Sequence, residues 1–499
     1  MLRPAHPPSH SLADAAPALP GARLVGAAPA LHGLTLDSKA VQPGDLFVAL
    51  PGAKTHGARF AAAALAGGAA AVLTDRVGEA LVDPATPRLV VDDLRAKLGA
   101  FSAWFYGHPA ERLALVGVTG TNGKTTVAHL LEAGLAPKFG EVALLGTIVS
   151  RIGGEAAVST RTTPEAPALQ AAFAAMVERG VRALVMEVSS HALDLHRVDG
   201  FIFDLMAFTN LTRDHLDYHR TMEDYFAAKA KAFTAAHAAL GLVDVDTPWG
   251  ARLATEATIP VETLSHEAGA DWFYQQVSGA QLRGAERFEL SRDGGVPLAA
   301  EVAIPGSYNV ANAALALASA IILGVDPAQA AKAVAGVRSV PGRMEPVSGP
   351  PGSPYVVVDY AHAPESVARV LQALRPHTAG RLIAVLGAGG ERDHGKRQLM
   401  GAAAAKVADL VFVTDDNPRG EDPAMIRSAV LSGAGPNVRE IADRGHAIGQ
   451  AIAGTGPADT VVILGKGHET TIDYGHELRP HHDATVARAA LERKEELNP

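Results

Sequence analysis

The 499-residue chain contains no cysteine. Disulfide bonds, thiolate catalysis and cysteine-ligated zinc are therefore excluded. Charged residues make up only 19% and the formal net charge is -9, with no long basic run, which argues against nucleic acid as the main partner. No segment supplies about 18 uninterrupted apolar residues, so the sequence predicts no membrane span.

The first residues, MLRPAHPPSHSLADAAPALPGA, are rich in proline and alanine. They lack a continuous apolar stretch behind basic residues, which is unlike a secretory signal peptide. We therefore expect a frayed terminus of about 20 residues and a cytoplasmic protein. The chain as a whole is too long for one core, and two or three domains are expected.

The rest of the chain falls into three blocks, residues 1–109, 110–340 and 341–499. The first holds short strand-like runs such as GDLFVAL and AAVLTD. The second and third alternate strand-like runs, such as RALVMEV and DTVVILG, with helical segments, which is typical of a mostly parallel sheet. The sequence predicts an α/β fold of three α/β domains in series, with a central P-loop ATPase-like parallel sheet and a Rossmann-like C-terminal domain.

The segment GVTGTNGKTT joins an apolar strand-like run to a segment with helical apolar spacing. Glycines allow close approach to a phosphate, whose charge the N–H groups of a helix start can bind. The lysine can reach the outer phosphates, and the next threonine can offer a hydroxyl to Mg²⁺. The alternative is a glycine-rich turn with a surface lysine. We predict an ATP-binding loop made of Gly117, Gly120, Thr121, Asn122, Gly123, Lys124, Thr125 and Thr126.

Two later strand-like runs end in residues that could bind a metal. EVSSH places Glu187 at one strand end, and NLTRDHLDYH places His215 after the next. Ligands of open α/β sheets sit at the carboxyl ends of strands, so these two residues and Thr125 could converge around Mg²⁺, which prefers oxygen ligands. Each could instead be a hydrogen-bonded strand-end residue. Lys229 of YFAAKAKAF, taken alone, indicates a solvated helix face.

The third block contains three polar strand ends. They are GAGGERDHGKR with Arg392, DDNPR with Asp416, Asn417 and Arg419, and GKGHE with Glu469. Arginine suits carboxylates and acidic residues suit an ammonium, so together they predict a pocket for a zwitterionic amino acid. Surface ion pairing is the alternative interpretation.

An ordered set of motifs carries a resemblance to a known family. The set is GTNGKTT, EVSSH, NLTRDHLDYH, YFAAK, SYNVANAAL, PGRME, VDYAHAPES, GGERDHGKR, DDNPR and GKGHE. In this order it resembles the Mur ligases of peptidoglycan synthesis, and within them the members that add a diamino acid as the third residue of the stem peptide. The likeness runs from about Leu34 to the C-terminal region. The loop spacing from Gly120 to Thr126 is similar to the family's own phosphate loop.

The resemblance implies a role for each block. Residues 1–109 would bind the UDP-muramoyl substrate, 110–340 ATP and 341–499 the amino acid. Further ATP contacts would be Asn309, Arg343 and Asp359. The uridine nucleotide of the substrate would contact Leu36, Ser38, Ala53, Lys54 and Thr55. The muramoyl-dipeptide would contact Thr162, Thr163, Ser189 and Arg197. The amino acid would contact Arg392, Asp416, Asn417, Pro418, Arg419, Gly465 and Glu469. Arg161 and Leu195 depart from the family pattern, which can have Asn and Gln there.

The resemblance also implies the chemistry. Lys229 would be carbamylated by CO₂ and would join Thr125, Glu187 and His215 around Mg²⁺. The catalytic residues would be Lys124, Glu187, His215 and Lys229. ATP would convert the D-Glu side-chain carboxylate of UDP-N-acetylmuramoyl-L-Ala-D-Glu to an acyl phosphate, which the amine of a diamino acid would attack. We expect a monomer that takes small-molecule substrates. Rival interpretations are a folylpolyglutamate synthase, a P-loop ATPase and a nucleotide-binding module.

The identity of the amino acid depends on Arg419. meso-Diaminopimelate carries a second carboxylate at its far end, which arginine could bind, whereas lysine and ornithine carry none. However, Glu421 and Asp422 follow closely and either could neutralise Arg419. The sequence favours meso-diaminopimelate and leaves lysine and ornithine open.

Overall fold

The computed structural model describes residues 2–52, 54–159, 161–277, 285–391 and 393–497. Two predicted site residues, Ala53 and Arg392, lie outside the described residues. The chain forms three α/β units in series, and each has its own main sheet. This confirms the predicted fold class.

The first unit is built on a five-stranded sheet. Its strands are β1 His10–Ser11, β2 Arg23–Val25, β3 Ala30–Leu31, β4 Gly33–Thr35, β5 Asp45–Ala49, β6 Ala71–Thr74 and β7 Arg88–Val90. Its α-helices are α1 Leu12–Ala15, α2 Ala61–Ala66, α3 Arg76–Glu79 and α4 Leu94–Phe105. The sheet order is β2-β7-β6-β5-β4, in which only β2 is antiparallel to its neighbour, while β1 and β3 pair separately.

The N-terminal residues are part of this unit, in contrast to the predicted frayed terminus. Leu12 and Leu19 have no exposed surface. The guanidinium of Arg3 lies 2.6 Å from the carboxylate of Asp45, and the main-chain N–H of Ala5 donates to the Glu178 carboxylate of the central unit at 2.6 Å. The prediction rested on the proline and alanine content and did not take these buried leucines and long-range polar contacts into account.

The central unit is built on an eleven-stranded sheet. Its strands are β8 Ala114–Thr119, β9 Val142–Leu145, β10 Val149–Ile152, β11 Glu155–Val158, β12 Ala183–Glu187, β13 Leu205–Phe208, β14 Gly241–Asp244, β15 Val261–Ser265, β16 Trp272–Gln276, β17 Glu286–Arg292 and β18 Leu298–Val302. Its α-helices are α5 Lys124–Phe139, α6 Ala166–Glu178, α7 Ser190–Asp194, α8 Leu216–His219, α9 Met222–Ala230, α10 Pro248–Glu256, α11 Ser307–Ile322 and α12 Pro327–Ala335.

The order of this sheet decides which strand ends are neighbours. The sheet runs β11-β10-β9-β12-β8-β13-β14-β15-β16-β17-β18, and the stretch from β9 to β16 is parallel. Strand β8 is continuously apolar because both of its faces are covered: Val116 and Val118 pack on one side, and Leu115 packs on the other. Its carboxyl end therefore lies between those of β12 and β13.

The third unit is built on a six-stranded sheet. Its strands are β19 Glu345–Val347, β20 Tyr355–Asp359, β21 Leu382–Leu386, β22 Leu410–Val413, β23 Val438–Glu440, β24 Thr460–Leu464, β25 Thr471–Asp473 and β26 Leu478–Pro480. Its α-helices are α13 Pro364–Leu374, α14 Lys396–Ala405, α15 Pro423–Leu431, α16 Arg444–Ala453 and α17 Asp483–Leu497. The main sheet runs β19-β20-β24-β21-β22-β23 and is parallel from β20 to β23.

None of the helices in the described ranges is both long enough and apolar enough to cross a membrane.

Candidate active site

A cavity of about 880 Å³ lies at the carboxyl ends of the central strands, where the third unit covers them. The cavity brings together most of the residues predicted to bind ATP and three of the four predicted to bind the metal, but of the predicted acceptor residues only Thr162 and Ser189 line it. Its walls include Thr121, Asn122, Gly123, Lys124, Thr125, Thr126, Thr162, Glu187, Ser189, His215, Asn309, Arg343 and Asp359.

The phosphate loop is a tight turn that only glycine can make at two positions. Gly120 and Gly123 have φ of 142° and 89°, in the range that favours glycine. A Cβ on Gly120 would lie 1.9 Å from the Thr209 hydroxyl, and one on Gly123 would lie 2.4 Å from the Asn312 side-chain oxygen. Gly117, by contrast, lies inside β8, where a Cβ would meet Met206, so its role in the structure is packing.

Lys124 begins helix α5 and turns back over the loop that precedes it. Its ammonium donates to the carbonyl oxygens of Gly120 at 3.0 Å and Thr121 at 2.9 Å. Burial lowers the pKa of this ammonium, and the nearby carboxylate of Glu187 opposes that shift. A phosphate arriving at the helix N-terminus would offer the ammonium stronger, charged acceptors.

Glu187 is fully buried at the end of β12 and faces the start of helix α5. Its carboxylate accepts from the hydroxyl of Thr125 at 3.0 Å, and from the main-chain N–H and hydroxyl of Thr147 at 2.8 and 3.0 Å. The guanidinium of Arg343 donates to the same Thr125 hydroxyl at 3.2 Å. This cluster of oxygens is of the kind that Mg²⁺ binds.

His215 lines the same cavity but has a different environment from Glu187. Burial lowers the pKa of its imidazole to about 4, although the adjacent Asp214 carboxylate opposes the shift. Its ring centroid lies 5.0 Å from that of His191. Within the described part of the chain, no three His, Asp or Glu side chains are already gathered as a metal site. The predicted metal-binding residues therefore do not form a ready-made metal site in this structure.

Lys229 is a buried residue, so the interpretation of a solvated helix face is wrong. Its side chain is 2% exposed, and its ammonium donates to the carbonyl oxygen of Gly120 at 2.8 Å. The ammonium also lies 4.9 Å from the centroid of the Tyr225 ring. Burial, and then the charge of Lys124, lower its pKa well below the ordinary value. Lys231 is the surface lysine of this segment and pairs with Asp194 at 2.9 Å.

The predicted dipeptide contacts form a chain that leads away from Glu187. The hydroxyl of Thr162 lies 3.1 Å from that of Thr147. The hydroxyl of Thr163 donates to the carbonyl of Glu187 at 2.9 Å, and the main-chain N–H of Ser189 donates to Thr163 at 3.1 Å. The guanidinium of Arg197 donates to the carbonyl of Thr163 at 3.2 Å.

The positions where the chain departs from the family pattern have their own contacts. Arg161 and Arg197 both lie within 3.0 Å of the Glu165 carboxylate, and the carbonyl of Leu195 accepts from Arg95 at 3.2 Å. In the first unit, the described residues predicted to bind the uridine nucleotide lie on loops away from the cavity. They are Leu36 and Ser38, after β4, and Lys54 and Thr55, after β5.

Arg419 lies in the left-handed region, with φ of 53°, and its side chain reaches the loop that follows strand β21. Its guanidinium donates to the carbonyl of Gly390 at 2.6 Å. Glu421 pairs with Arg397 at 2.9 Å, and Asp422 accepts from the main-chain N–H of Ala424 as the cap of α15. Among the described residues, Arg419 therefore forms no ion pair with a carboxylate.

The other predicted amino-acid contacts converge on a lysine that sequence reasoning did not select. Lys466 is fully buried, and its ammonium donates to Asn417 at 3.0 Å and to Glu469 at 2.7 Å. The amide of Asn417 also donates to Glu469 at 2.8 Å. Asp416 lies 3.9 Å from Lys466, and a Cβ on Gly465 would come within 2.6 Å of that carboxylate.

Known proteins resemble this chain over most of its length. Three family profiles match: "Mur ligase family, catalytic domain" at residues 30–106, "Mur ligase middle domain" at 118–320 and "Mur ligase, glutamate ligase domain" at 342–467. A UDP-N-acetylmuramoyl-L-alanyl-D-glutamate–2,6-diaminopimelate ligase of Streptomyces coelicolor is 48% identical to this chain, over 93% of each. The chain belongs to the Mur ligase family.

Two further relatives of this Mur ligase are informative. A UDP-N-acetylmuramyl-tripeptide synthetase of Leifsonia xyli is 45% identical and covers 98% of this chain and 97% of its own length. A solved structure of a UDP-N-acetylmuramoyl-L-alanyl-D-glutamate–2,6-diaminopimelate ligase is 32% identical, with a TM-score of 0.64, covering 93% of this chain and 95% of its own. The likeness therefore extends over all three units.

Sequence reasoning did not select several residues of this candidate site. Thr147 donates to Glu187, and Asn312 lies beside Gly123 of the loop, but neither belongs to a strand-end motif. Asp214 was overlooked beside His215. Burial alone would raise its pKa, but the positive charges of His215, His362 and Lys396 lower it to about 2. Lys466 is the lysine of the GKGHE motif, so its place in that motif could have drawn attention to it.

Proposed function

We propose that this Mur ligase uses ATP to join meso-diaminopimelate to the D-Glu side-chain carboxylate of UDP-N-acetylmuramoyl-L-Ala-D-Glu, a step of peptidoglycan precursor synthesis. The names of the relatives above support this reaction. The observation that carries the choice of amino acid is the guanidinium of Arg419, which forms no ion pair with a described carboxylate.

The argument from Arg419 is electrostatic. Glu421 and Asp422, the two acids that could have neutralised it, are engaged by Arg397 and by the N-terminus of α15. A half-buried arginine without a counter-ion is unfavourable, and a substrate carboxylate would supply one through paired hydrogen bonds. meso-Diaminopimelate brings such a carboxylate, whereas lysine and ornithine do not.

A competition experiment tests the choice of amino acid. The three candidates are supplied at equal concentration with ATP and the UDP-muramoyl-dipeptide, and the products are identified by mass spectrometry. We expect the diaminopimelate product to dominate. Preferred incorporation of lysine or ornithine would overturn the choice but leave the ligase reaction intact. Phosphate release that needs neither acceptor nor amino acid would instead favour an ATPase.

The residues around Glu187 fit a bound Mg²⁺. The carboxylate and the Thr125 hydroxyl lie 3.0 Å apart at the N-terminus of helix α5, where the phosphates of ATP would also bind. We propose Thr125, Glu187, His215 and a carbamylated Lys229 as the metal-binding set. Such a metal would reduce the repulsion between the anionic phosphates and the acceptor carboxylate.

The environment of Lys229 fits a carbamate. CO₂ reacts with a neutral amine, and burial lowers the pKa of the Lys229 ammonium. Carbamylation would replace the positive charge with a negative one, and the neighbouring charge of Lys124 would then attract rather than repel it. The N–H of a carbamate would still be able to donate to the Gly120 carbonyl, which is 2.8 Å from the nitrogen.

The protein's own residues would act by positioning and by neutralising charge. Lys124 and the α5 N-terminus would bind the outer phosphates, and Arg343 would bring a second cation to the same place. Thr163, Ser189 and Arg197 would hold the dipeptide so that its side-chain carboxylate faces the terminal phosphate. Transfer of the terminal phosphoryl group of ATP to that carboxylate would give an acyl phosphate and ADP. The third unit would then deliver the amine of the amino acid, whose attack would form the amide and release phosphate.

The three units would divide the work. We propose that residues 1–109 bind the uridine nucleotide, 110–340 bind ATP and 341–499 bind the amino acid. Because UDP-linked precursors and ATP are cytoplasmic compounds, we also propose that the enzyme acts in the cytoplasm, and as a monomer, since each ligand set is supplied by this single chain.

A further inference from the structure

The strand order restricts where the base of ATP can lie. The phosphate loop follows β8, whose neighbours are β12 on one side and β13, β14 and β15 on the other. The end of β12 carries Glu187, and the dipeptide contacts Thr163 and Ser189 lie beside it. That side is needed for the acceptor, so the nucleoside must extend toward the ends of β13, β14 and β15. With strands about 4.8 Å apart, the end of β14 is about 10 Å from β8.

Asp244 is the residue that ends β14 and lines the cavity on this side. Its side chain is 8% exposed, and its carboxylate accepts from the main-chain N–H of Asp246 at 3.0 Å. Within the described residues, no Lys, Arg or His nitrogen lies within salt-bridge distance of it. Its carboxyl group therefore retains hydrogen-bonding capacity on the cavity side.

The neighbouring Asp246 is different, because its hydrogen-bonding capacity is used. It accepts from the hydroxyls of Ser265 at 2.5 Å and Tyr274 at 2.7 Å, and it pairs with His266 at 2.8 Å. On the helix opposite, the hydroxyl of Tyr308 is buried and has no hydrogen-bond partner in the described residues. The unused polar groups on this side of the cavity therefore include one acid and one hydroxyl.

We propose that Asp244 recognises the adenine base of ATP, and so determines the choice of nucleotide. Its carbonyl oxygen would accept from the exocyclic amino group, and its carboxyl O–H would donate to the adjacent ring nitrogen N7. A base with an exocyclic oxygen in place of the amino group presents two acceptors at this edge, and the single O–H of Asp244 can donate to only one of them. This inference rests on the use of ATP proposed above.

The protonation state of Asp244 supports this pairing. Burial raises the pKa of its carboxyl to about 7, and the charge of Asp246 adds to the shift, while His266 and Arg369 oppose it. A neutral carboxyl group has one donor and one acceptor, as the asparagine side chain has on one edge. Asparagine is the side chain that pairs with adenine through its amino group and ring nitrogen. A neutral Asp244 can make the same pair.

The test compares ATP with ITP, which carries an oxygen in place of the adenine amino group. Tripeptide formation is measured with each nucleotide for the wild-type enzyme, Asp244→Asn and Asp244→Ala. We expect the wild type to favour ATP in kcat/KM by about tenfold or more, Asp244→Asn to keep that preference and Asp244→Ala to lose most of it. Glu132→Gln is the matched control, because Glu132 is another largely buried acid of raised pKa that lies outside the cavity.

A second measurement applies even if Asp244→Ala does not fold. The KM for ATP of the wild type should rise as the pH increases above about 7, where Asp244 loses its proton, whereas that of Asp244→Asn should not. An unchanged ATP preference in folded Asp244→Ala, or identical pH profiles for wild type and Asp244→Asn, would overturn the inference. Absence of tripeptide product from the wild type with any nucleotide would instead refute the proposed function.

Discussion

The ammonium nitrogen of Lys229 lies 2.8 Å from the main-chain carbonyl oxygen of Gly120, so helix α9 contacts the turn that begins the phosphate loop. The contact joins residues 109 positions apart in the chain. It places a lysine of lowered pKa beside Lys124, where two positive charges would repel each other. Removing or reversing one of those charges would relieve the repulsion.

Replacement of Lys229 by alanine should therefore abolish nearly all tripeptide formation, because the proposed carbamate ligand is lost. Short carboxylic acids such as acetate should restore part of the activity by occupying the vacated space. Product formation is measured with and without added acid. Lys231→Ala is the control, since Lys231 pairs with Asp194 near the surface and should be dispensable. Full activity of Lys229→Ala without additive would contradict the assignment.

Replacement of Lys124 by alanine should abolish turnover while leaving the protein folded. Of the two carbonyls that Lys124 now contacts, that of Gly120 keeps its hydrogen bond from Lys229 and that of Thr121 is in a half-buried residue, so the loss is tolerable, whereas the outer phosphates would lose their cation. Turnover is followed by phosphate release, and folding by circular dichroism. Near-normal turnover in a folded variant would refute the assignment of the ATP site.

Replacement of Arg419 by methionine should weaken use of meso-diaminopimelate without affecting ATP. Loss of a charged hydrogen bond costs about 1.5–3 kcal/mol, so KM for this amino acid should rise by roughly tenfold to hundredfold. The KM values for ATP and for the UDP-linked acceptor should stay unchanged. The control is Arg479→Met, in the same unit, whose arginine is exposed and pairs with Glu477. An unchanged KM for meso-diaminopimelate would show that Arg419 does not bind the distal carboxylate.

The stability of the third unit should depend on the buried pair of Arg444 and Asp483, both fully unexposed and 2.7 Å apart. Arg444→Met alone leaves a buried carboxylate without its cation and should lower the free energy of unfolding by about 3–5 kcal/mol. The double variant with Asp483→Leu should recover much of the loss. Urea unfolding followed by circular dichroism measures this, with Arg479→Met expected to change stability by less than about 1 kcal/mol.

The same pair predicts a pH dependence. Burial would raise the pKa of Asp483, but Arg444 and His481 lower it below its ordinary value. A lowered folded-state pKa contributes stability above the unfolded pKa of about 3.9, and that contribution is lost as the pH falls through the folded value. Wild-type stability should therefore fall on acidification below about pH 4, and this part of the fall should be absent in the double variant. Equal acid sensitivity of the two proteins would contradict this.

The parts of the site that could be predicted from the sequence are those with a local signal. A glycine-rich turn between a strand and a helix indicates a phosphate loop because the backbone geometry and the helix N-terminus are local properties. Glu187 and His215 were found because parallel strands bring their carboxyl ends to one edge of the sheet. Thr147 has no such signal, and its place at Glu187 depends on contacts between residues 40 positions apart.

The α/β class, the three units in series, the phosphate loop and the family were predictable without a structure, because periodicity, turn chemistry and an ordered set of motifs are properties of the linear chain. The state of the ionisable groups, by contrast, follows from how the folded chain packs. In the folded chain Lys229 is buried, the N-terminal residues contact the first unit and Glu421 pairs with Arg397, while Arg419 has no described counter-ion. Burial and charge pairing depend on which distant segments pack together, and local sequence patterns do not reveal those contacts.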